Sequence, residues 1–195
     1  MNKEMVKKVL FDIFIKYQGI FFLIILIDQI TKLIAIKYLV NPVEIFPWLV
    51  LKLQINSGVA FSFLEDAPQW ISALISIVAT VAIEYYLIFK SKKEEVLFNV
   101  ILICLAAGAF GNGIDRWLAV FGREIVINGV SYSGVVDFIW PTFFANFNVA
   151  DIFVTLACIA MIVYTIFAKE EKDKHIVKKS EYEYLDKKEQ SNEQH

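Results

Sequence analysis

The stretch YQGIFFLIILIDQITKLIAIKYL, residues 17–39, decides the fold class of this chain. It is apolar over the length of about 20 residues that a helix needs to cross a hydrocarbon core of about 30 Å. Further segments of the same character occupy residues 70–89, 96–118 and 144–168, each bound being approximate. The sequence therefore predicts an all-α membrane protein with four transmembrane helices, the first of which is too long and too charged to be a cleaved signal segment.

The composition of the chain agrees with a membrane protein and excludes several functional classes. Of its 195 residues 57% are hydrophobic, whereas soluble domains contain about 45–50%. The net charge of -2 provides no basic field, so nucleic acid is excluded as a partner. Cys104 and Cys158 lie in apolar stretches and suggest no disulfide framework. The two histidines, His175 and His195, lie in a charged tail, which excludes a His-based zinc site and a Ser-His triad.

Positive charge is distributed unevenly between the segments that connect the helices. Lysines cluster before residue 17, between the second and third helices, and after residue 168, whereas residues 40–69 and 119–143 carry only Lys52 and Arg123. Because short basic segments stay in the cytoplasm, both termini are predicted to be cytoplasmic and the two long connections to face outward. Residues 1–168 form the predicted membrane domain, and 169–195 a solvated, disordered tail with too little apolar surface to fold.

The two outward connections have patterns typical of short strands. Residues 44–63 combine an apolar run with rough polar alternation, which indicates a small β-like cradle at the membrane surface. In the second connection, Asn128-Gly129 separates two β-branched runs, the strongest short-range signal for a hairpin.

Ionisable side chains inside membrane helices cost about 2.5–3.5 kcal/mol each and therefore need a reason. Asp28 and Lys32 are four residues apart and share a helix face, so they can neutralise each other. Other polar residues fall at the predicted outer end of the bundle, and one shared pocket explains them economically. This group comprises Asn56, Asn112, Asp115, Arg116, Asp137, Asn148 and Asp151. Taken singly, some have structural alternatives: Asn148 could cap the fourth helix, Asp115 and Arg116 could pair with each other, and Asp28 with Lys32 could lock two helices together.

Asp137 and Asp151 differ from the rest of this group because neither has a basic residue near it in sequence. Two carboxylates that are brought close together cannot both ionise cheaply, so the pair shares a proton. In aspartic proteases the ionised member of such a pair activates water while the protonated member polarises the carbonyl.

The polar residues occur in five short blocks that follow one another from the first helix to the fourth. They are Asp28, Thr31 and Lys32, then Asn56-x-Gly58-x-Ala60-Phe61, Gly108-Ala109-x-Gly111-Asn112-x-x-Asp115-Arg116, Val136-Asp137-Phe138 and Phe147-Asn148-x-Ala150-Asp151. In content and order these blocks resemble the lipoprotein signal peptidase (signal peptidase II) family of bacterial membrane aspartyl proteases. The chain departs from the family pattern at Ala107, where a further glycine is common, and in its lysine-rich tail.

The resemblance implies that Asp137 and Asp151 are the catalytic pair. It implies that substrate binding or support of the site falls to Asp28, Lys32, Asn56, Gly58, Asn112, Asp115, Arg116 and Asn148. The implied substrate is a diacylglyceryl-modified prolipoprotein, cut on the amino side of its lipidated cysteine. The implied enzyme needs no metal or other cofactor. It is a monomer that contacts membrane lipids in the bacterial cytoplasmic membrane, with its active site at the outer leaflet.

Two other functional classes compete with this interpretation. A small proton-coupled transporter or channel would use intramembrane Asp and Lys as relay groups. Its polar residues should trace a path across the membrane, whereas those of this chain crowd one end, and no inverted repeat is seen. A scaffold protein would give no reason for Asp137 and Asp151 to lack counter-ions.

Overall fold

The computed structural model describes residues 3–57, 68–90 and 95–168, and it contains four long helices. These are α1 (Lys3–Tyr38), α2 (Gln69–Phe89), α3 (Val96–Val120) and α4 (Val149–Ala168). Each is long and apolar enough to cross a membrane, in α1 over Tyr17–Tyr38. The predicted four-helix membrane fold is confirmed. The predicted tail lies outside the described residues.

The first and last helices begin at different residues from those predicted. Helix α1 extends upstream to Lys3, whereas α4 begins only at Val149 and not at residue 144. The residues before α4 are not helical because Phe147 forms an antiparallel bridge with Ile139, in which its N–H donates to the Ile139 carbonyl at 3.0 Å. An apolar run cannot by itself distinguish helix from such a buried bridge.

Within the described residues, five short strands lie in the connections between the helices. Strands β1 (Val43–Phe46), β2 (Leu49–Asn56) and β5 (Val135–Pro141) form an antiparallel sheet in the order β1-β2-β5. Strands β3 (Ile125–Ile127) and β4 (Val130–Tyr132) form a separate hairpin. Its turn residues Asn128 and Gly129 have φ values of 52° and 82°, as a type I′ turn requires, so the predicted hairpin is confirmed.

The pairing of β2 with β5 brings the two long connections into one sheet. In its register Gln54 lies opposite Asp137 and Asn56 lies opposite Val135. The sheet thus places a carboxylate from the second connection beside a polar strand end from the first. Strand patterns in the sequence indicated the cradle, but not that β5 would complete it.

Glycines of α3 allow neighbouring helices to approach closely. A Cβ at Gly111 would lie 2.9 Å from Oδ2 of Asp28 and 3.3 Å from Cβ of Ala150. A Cβ at Gly108 would lie 2.6 Å from the Ala150 carbonyl oxygen. Small residues are the usual means of close packing between membrane helices. Here they let α3 contact both α1 and the start of α4, where the polar residues meet.

Contacts divide the chain into two compact units, Met1–Cys158 and Ile159–His195. The first unit contains both sheets, three complete helices and the start of α4. In the second, the described residues 159–168 are the end of α4. All the site residues discussed below belong to the first unit.

Candidate active site

The first turn of α4 is built by a reciprocal cap between Asn148 and Asp151. Oδ1 of Asn148 accepts the N–H of Asp151 at 3.0 Å, and Oδ2 of Asp151 accepts the N–H of Asn148 at 3.1 Å. This is a capping box, in which two helix N-terminal donors are satisfied by the two side chains. The cap that the sequence offered as a structural alternative is therefore present, and it also fixes the position of the Asp151 carboxylate.

The same Asn148 side chain also binds Asp137. Its Nδ2 donates to Oδ1 of Asp137 at 2.8 Å, and Nδ2 of Asn56 donates to the other carboxylate oxygen at 3.1 Å. Asp137 lies on β5 and is only 3% exposed. Asn148 thus connects the two acidic residues that the sequence singled out, although they belong to a strand and a helix.

The pKa of Asp137 is raised from 3.8 to about 7. Burial is the largest cause, and the negative charge of Asp151 is the second. Hydrogen bonds from Asn56 and Asn148 and the charge of Lys32 act in the opposite direction. Near neutral pH the Asp137 carboxyl therefore retains a proton for part of the time, as expected for a member of a carboxyl pair.

A buried lysine organises the polar residues beneath this pair. Nζ of Lys32 lies 2.8 Å from Oδ2 of Asp28, 2.8 Å from Oδ2 of Asp115 and 2.9 Å from Oδ1 of Asn112. The three contacts match the three donors of an ammonium group. The pairing predicted from the four-residue spacing of Asp28 and Lys32 is confirmed, and it forms part of a larger network that links α1 to α3.

Asn112 links this network to Asp151. Oδ1 of Asn112 accepts hydrogen bonds from Lys32 and, at 3.0 Å, from Nδ2 of Asn148. Nδ2 of Asn112 therefore donates to Oδ1 of Asp151, at 2.7 Å. The lysine thereby determines the orientation of the Asn112 amide. A correctly oriented amide presents a donor, rather than an acceptor, to the carboxylate.

Asp28 also supports the start of α4. Its Oδ1 accepts the N–H of Ala150 at 2.9 Å, which places a carboxylate at the positive end of that helix. Nε2 of Gln29 donates to Asp28 Oδ2 at 3.0 Å and to the Gly111 carbonyl at 3.2 Å. Asp28 therefore serves both Lys32 and the helix that carries Asp151.

Asp115 has partners that its sequence neighbours did not suggest. Besides Lys32 it pairs with Arg123, whose Nη1 lies 2.8 Å from Oδ1 of Asp115. The charge of Arg116 interacts with Asp151, Asp137 and Asp115.

Of the predicted site residues, Gly58 lies outside the described residues, and the other nine are brought together in this network.

Sequence reasoning missed two residues that belong to this network, Arg123 and Gln29. One signal for Arg123 was available, because it is the only Lys or Arg between residues 119 and 143.

Within the described ranges no group of three or more His, Cys, Asp or Glu side chains is arranged to hold a metal ion. What the site offers chemically is a pair of carboxyl groups held by amides, with one of them partly protonated.

Comparisons with known proteins agree on one family. The sequence model described as "Signal peptidase (SPase) II" matches residues 20–167. The chain is 31% identical to the lipoprotein signal peptidase of Acinetobacter baumannii (strain ATCC 17978), over 90% of this chain and 98% of the relative. It is 36% identical to that of Sulfurihydrogenibium sp. (strain YO3AOP1), over 80% and 94% of the two chains.

A solved structure, described as a bacterial membrane enzyme, superposes with a TM-score of 0.64. It is 27% identical in sequence, and the match covers 79% of this chain and 89% of that one. Family, relatives and fold therefore agree, and the chain belongs to the signal peptidase II family of membrane peptidases.

Proposed function

We propose that this chain is an aspartic endopeptidase that removes the signal peptide from diacylglyceryl-modified prolipoproteins, cutting on the amino side of the lipidated cysteine. Family membership supports the substrate class. The observation that carries the aspartic mechanism is the double attachment of Asn148, which binds Asp137 through its Nδ2 and Asp151 through its N–H and Oδ1.

In this mechanism the two carboxyl groups have different protonation states. Protonated Asp137 donates a hydrogen bond to the scissile carbonyl oxygen, and ionised Asp151 accepts a proton from the water that attacks the carbonyl carbon. The C–O bond to water forms and a tetrahedral intermediate results. As it collapses, the C–N bond breaks and a carboxyl group delivers the proton to the leaving amine.

The charge balance of the network supports a single shared proton. Three cations, Lys32, Arg116 and Arg123, interact with four carboxyl groups, those of Asp28, Asp115, Asp137 and Asp151. The cluster is neutral when one of the four carboxyl groups is protonated. The raised pKa of Asp137, about 7, supports placing that proton on Asp137.

The amide side chains around the pair are proposed to orient the substrate. Asn56 is exposed at the end of β2 while it donates to Asp137, so it can exchange this bond for one to the peptide. Asn112 on α3 presents a donor to Asp151, and the charge of Arg116 on the same helix interacts with Asp151 and Asp137. Hydrogen-bond donors aimed at a developing oxyanion contribute most in the transition state.

We further propose that the site faces the outer leaflet of a bacterial cytoplasmic membrane, with both termini in the cytoplasm and a monomeric enzyme. The lysine distribution supports this orientation. Strands β2 and β5, which build the site, come from the two connections predicted to lie outside. Phe46 at the end of β1 and Trp48 in the turn that leads to β2 are exposed, and their rings stack with centroids 5.6 Å apart, as expected for aromatic anchors among lipid headgroups.

The transporter alternative has no support in these comparisons. The reported relatives are lipoprotein signal peptidases. In addition, the charged residues of the site cluster at one end of the bundle, because they lie in the C-terminal halves of α1 and α3 and at the N-terminus of α4.

The deciding experiment compares a diacylglyceryl-modified prolipoprotein with its unlipidated twin, each incubated with the purified protein in detergent. We expect the lipidated substrate alone to be cut, and Asp137→Asn and Asp151→Asn to abolish the cleavage. Glu44→Gln is the matched control, because it removes an exposed carboxylate from the same sheet. Cleavage of neither substrate by the wild-type protein would refute the proposed function, and full activity in either Asp variant would remove that residue from the mechanism.

A further inference from the structure

Arg123 follows the end of α3, and the helix terminus determines where its side chain goes. The N–H of Gly122 donates to the Ala119 carbonyl at 3.0 Å and the N–H of Arg123 to the Leu118 carbonyl at 2.8 Å. Gly122 has a φ of 91°, a left-handed conformation that favours glycine. This is a Schellman motif, which reverses the chain at a helix C-terminus. The reversal lets Arg123 reach back along α3 to Asp115, two turns earlier.

The guanidinium of Arg123 binds two elements through two different nitrogens. Nη1 pairs with Oδ1 of Asp115 at 2.8 Å, while Nη2 donates to the Gly134 carbonyl at 2.9 Å and more weakly to the Asp115 carbonyl at 3.4 Å. Asp115 is 1% exposed and Arg123 is 23% exposed, so the pair is largely shielded from water. Arg123 therefore joins α3 to the residue that directly precedes β5.

Neighbouring contacts also hold residues 133–134, which directly precede β5. Oγ of Ser133 donates to the Arg123 carbonyl at 3.1 Å, and Nε2 of Gln69, at the start of α2, donates to the Ser133 carbonyl at 3.0 Å. Gly134 packs so tightly on the Asn56 carbonyl that no side chain fits there. The entry to β5 is thus fixed by α2, α3 and β2 together, three residues before Asp137.

We propose that Arg123 is a positioning residue for Asp137: it clamps the start of β5 to Asp115 and so sets the distance of the Asp137 carboxyl from Asn148 and the substrate. The catalytic part of this proposal, the effect of the Asp137 position on cleavage, rests on the proposed function. The clamp itself rests on the contacts of Arg123, and family motifs did not point to this residue.

The geometry explains why an arginine suits this place. A planar guanidinium offers parallel donors from separate nitrogens, whereas an ammonium is a compact point charge. Oδ2 of Asp115 already binds Lys32 and weakly accepts the N–H of Val136 at 3.5 Å. Arg123 adds the second cation on Oδ1 and a much shorter link, at 2.9 Å, to the Gly134 carbonyl. Without the second nitrogen, Asp115 could remain neutralised, and of its described contacts with this segment only the weak 3.5 Å bond from Val136 would remain to hold β5.

The first test uses kinetics with a lipidated peptide substrate in detergent. Misplacement of a catalytic group by about 1 Å can cost about 100-fold in rate, so we expect Arg123→Gln to lower kcat by about 10- to 100-fold with KM nearly unchanged. Arg123→Lys keeps the charge but not the two-nitrogen fork, and kcat should fall by about three- to tenfold. Lys37→Gln, which removes an exposed cation at the end of α1, is the control and should match the wild type.

The second test does not depend on activity. Amide hydrogen exchange of the wild-type protein and of both Arg123 variants should be compared by mass spectrometry in the same detergent. We expect faster exchange in peptides that cover residues 134–138 and unchanged exchange in α1 and the middle of α3. Exchange that rises equally throughout the bundle would show a general loss of stability and would contradict the clamp.

The two tests separate this proposal from the proposed function. If the wild-type protein cuts no substrate, the proposed function fails, while the exchange comparison still decides whether Arg123 holds the start of β5. If Arg123→Lys retains wild-type kcat and wild-type exchange in residues 134–138, the positioning role is overturned. A loss confined to KM would also overturn it, because Arg123 would then act in substrate binding.

Discussion

The raised pKa of Asp137 makes stability depend on pH in a direction that can be measured. The pKa moves from 3.8 to about 7 on folding, and each pKa unit corresponds to about 1.4 kcal/mol. The contribution of Asp137 to the free energy of unfolding therefore differs by about 4 kcal/mol between low and high pH. Because the folded pKa is the higher one, the folded state binds the proton more tightly than the unfolded state. The stabilisation is complete below about pH 4, is lost progressively as the pH rises to about 7, and does not change further above that.

Replacement of Asp137 by asparagine should abolish this dependence. Both oxygens of Asp137 accept from amide donors, Asn148 and Asn56, so the introduced amide places one NH₂ against a donor. That mismatch costs about 1–3 kcal/mol, but it does not vary with pH. The diagnostic quantity is therefore the change with pH of the difference in free energy of unfolding between wild type and variant, not the difference at any single pH.

The assay is thermal unfolding in detergent between pH 4.5 and 8.5 for the wild type, Asp137→Asn and the exposed control Glu44→Gln. For a chain of this size 1 kcal/mol corresponds to about 2–4 °C in Tm. The wild type should therefore lose up to about 10 °C relative to Asp137→Asn as the pH rises. Glu44→Gln should follow the wild type. Parallel curves for wild type and Asp137→Asn across this range would refute the reasoning that burial and Asp151 hold a proton on Asp137.

Four further outcomes are expected. Peptidase activity should fall above about pH 7 by about tenfold per pH unit, because one proton of the pair is required, and a flat kcat/KM between pH 7 and 9 would contradict this. Lys32→Met should destabilise the protein by about 3–5 kcal/mol in unfolding assays, because it leaves two buried carboxylates without their shared cation. Gly111→Ala should cost about 1–3 kcal/mol because its Cβ meets α1 and α4, whereas Gly19→Ala, with no atom within 4 Å, should be neutral or slightly stabilising. A protease-sensitive tag inserted near Asn128 should be cut in intact cells from which the outer barriers have been removed, whereas a reporter after the C-terminus should be cytoplasmic; cleavage only after the membrane is permeabilised would reverse the topology.

Several features could be predicted because their physical causes are local in sequence. Transfer of about 20 apolar residues into lipid is a sum over neighbouring residues, so the spans were visible in the sequence. The type I′ turn depends on two adjacent residues, Asn128 and Gly129, that tolerate positive φ. The pairing of Asp28 with Lys32 depends only on the helix repeat.

Other features depended on contacts between distant parts of the chain. Strand β5 pairs with β2 across about 80 residues of sequence, and the energy of that pairing comes from packing and hydrogen bonds that neither strand shows alone. The late start of α4 has the same origin, because Phe147 bridges to Ile139 before the helix can begin. Arg123 could not be connected with Asp115 until the chain reversal at Gly122 was known.

The sequence by itself determined that this chain spans a membrane with four helices and that its unusual charges lie near one end of them, because hydropathy and helix spacing are local properties. The structure alone decided how those charges are partnered: Lys32 shared by Asp28, Asp115 and Asn112, and Asn148 shared by Asp137 and Asp151. Hydrogen bonds act over about 3 Å, and only the packing of α1, α3, α4 and β5 brings their donors and acceptors within that distance.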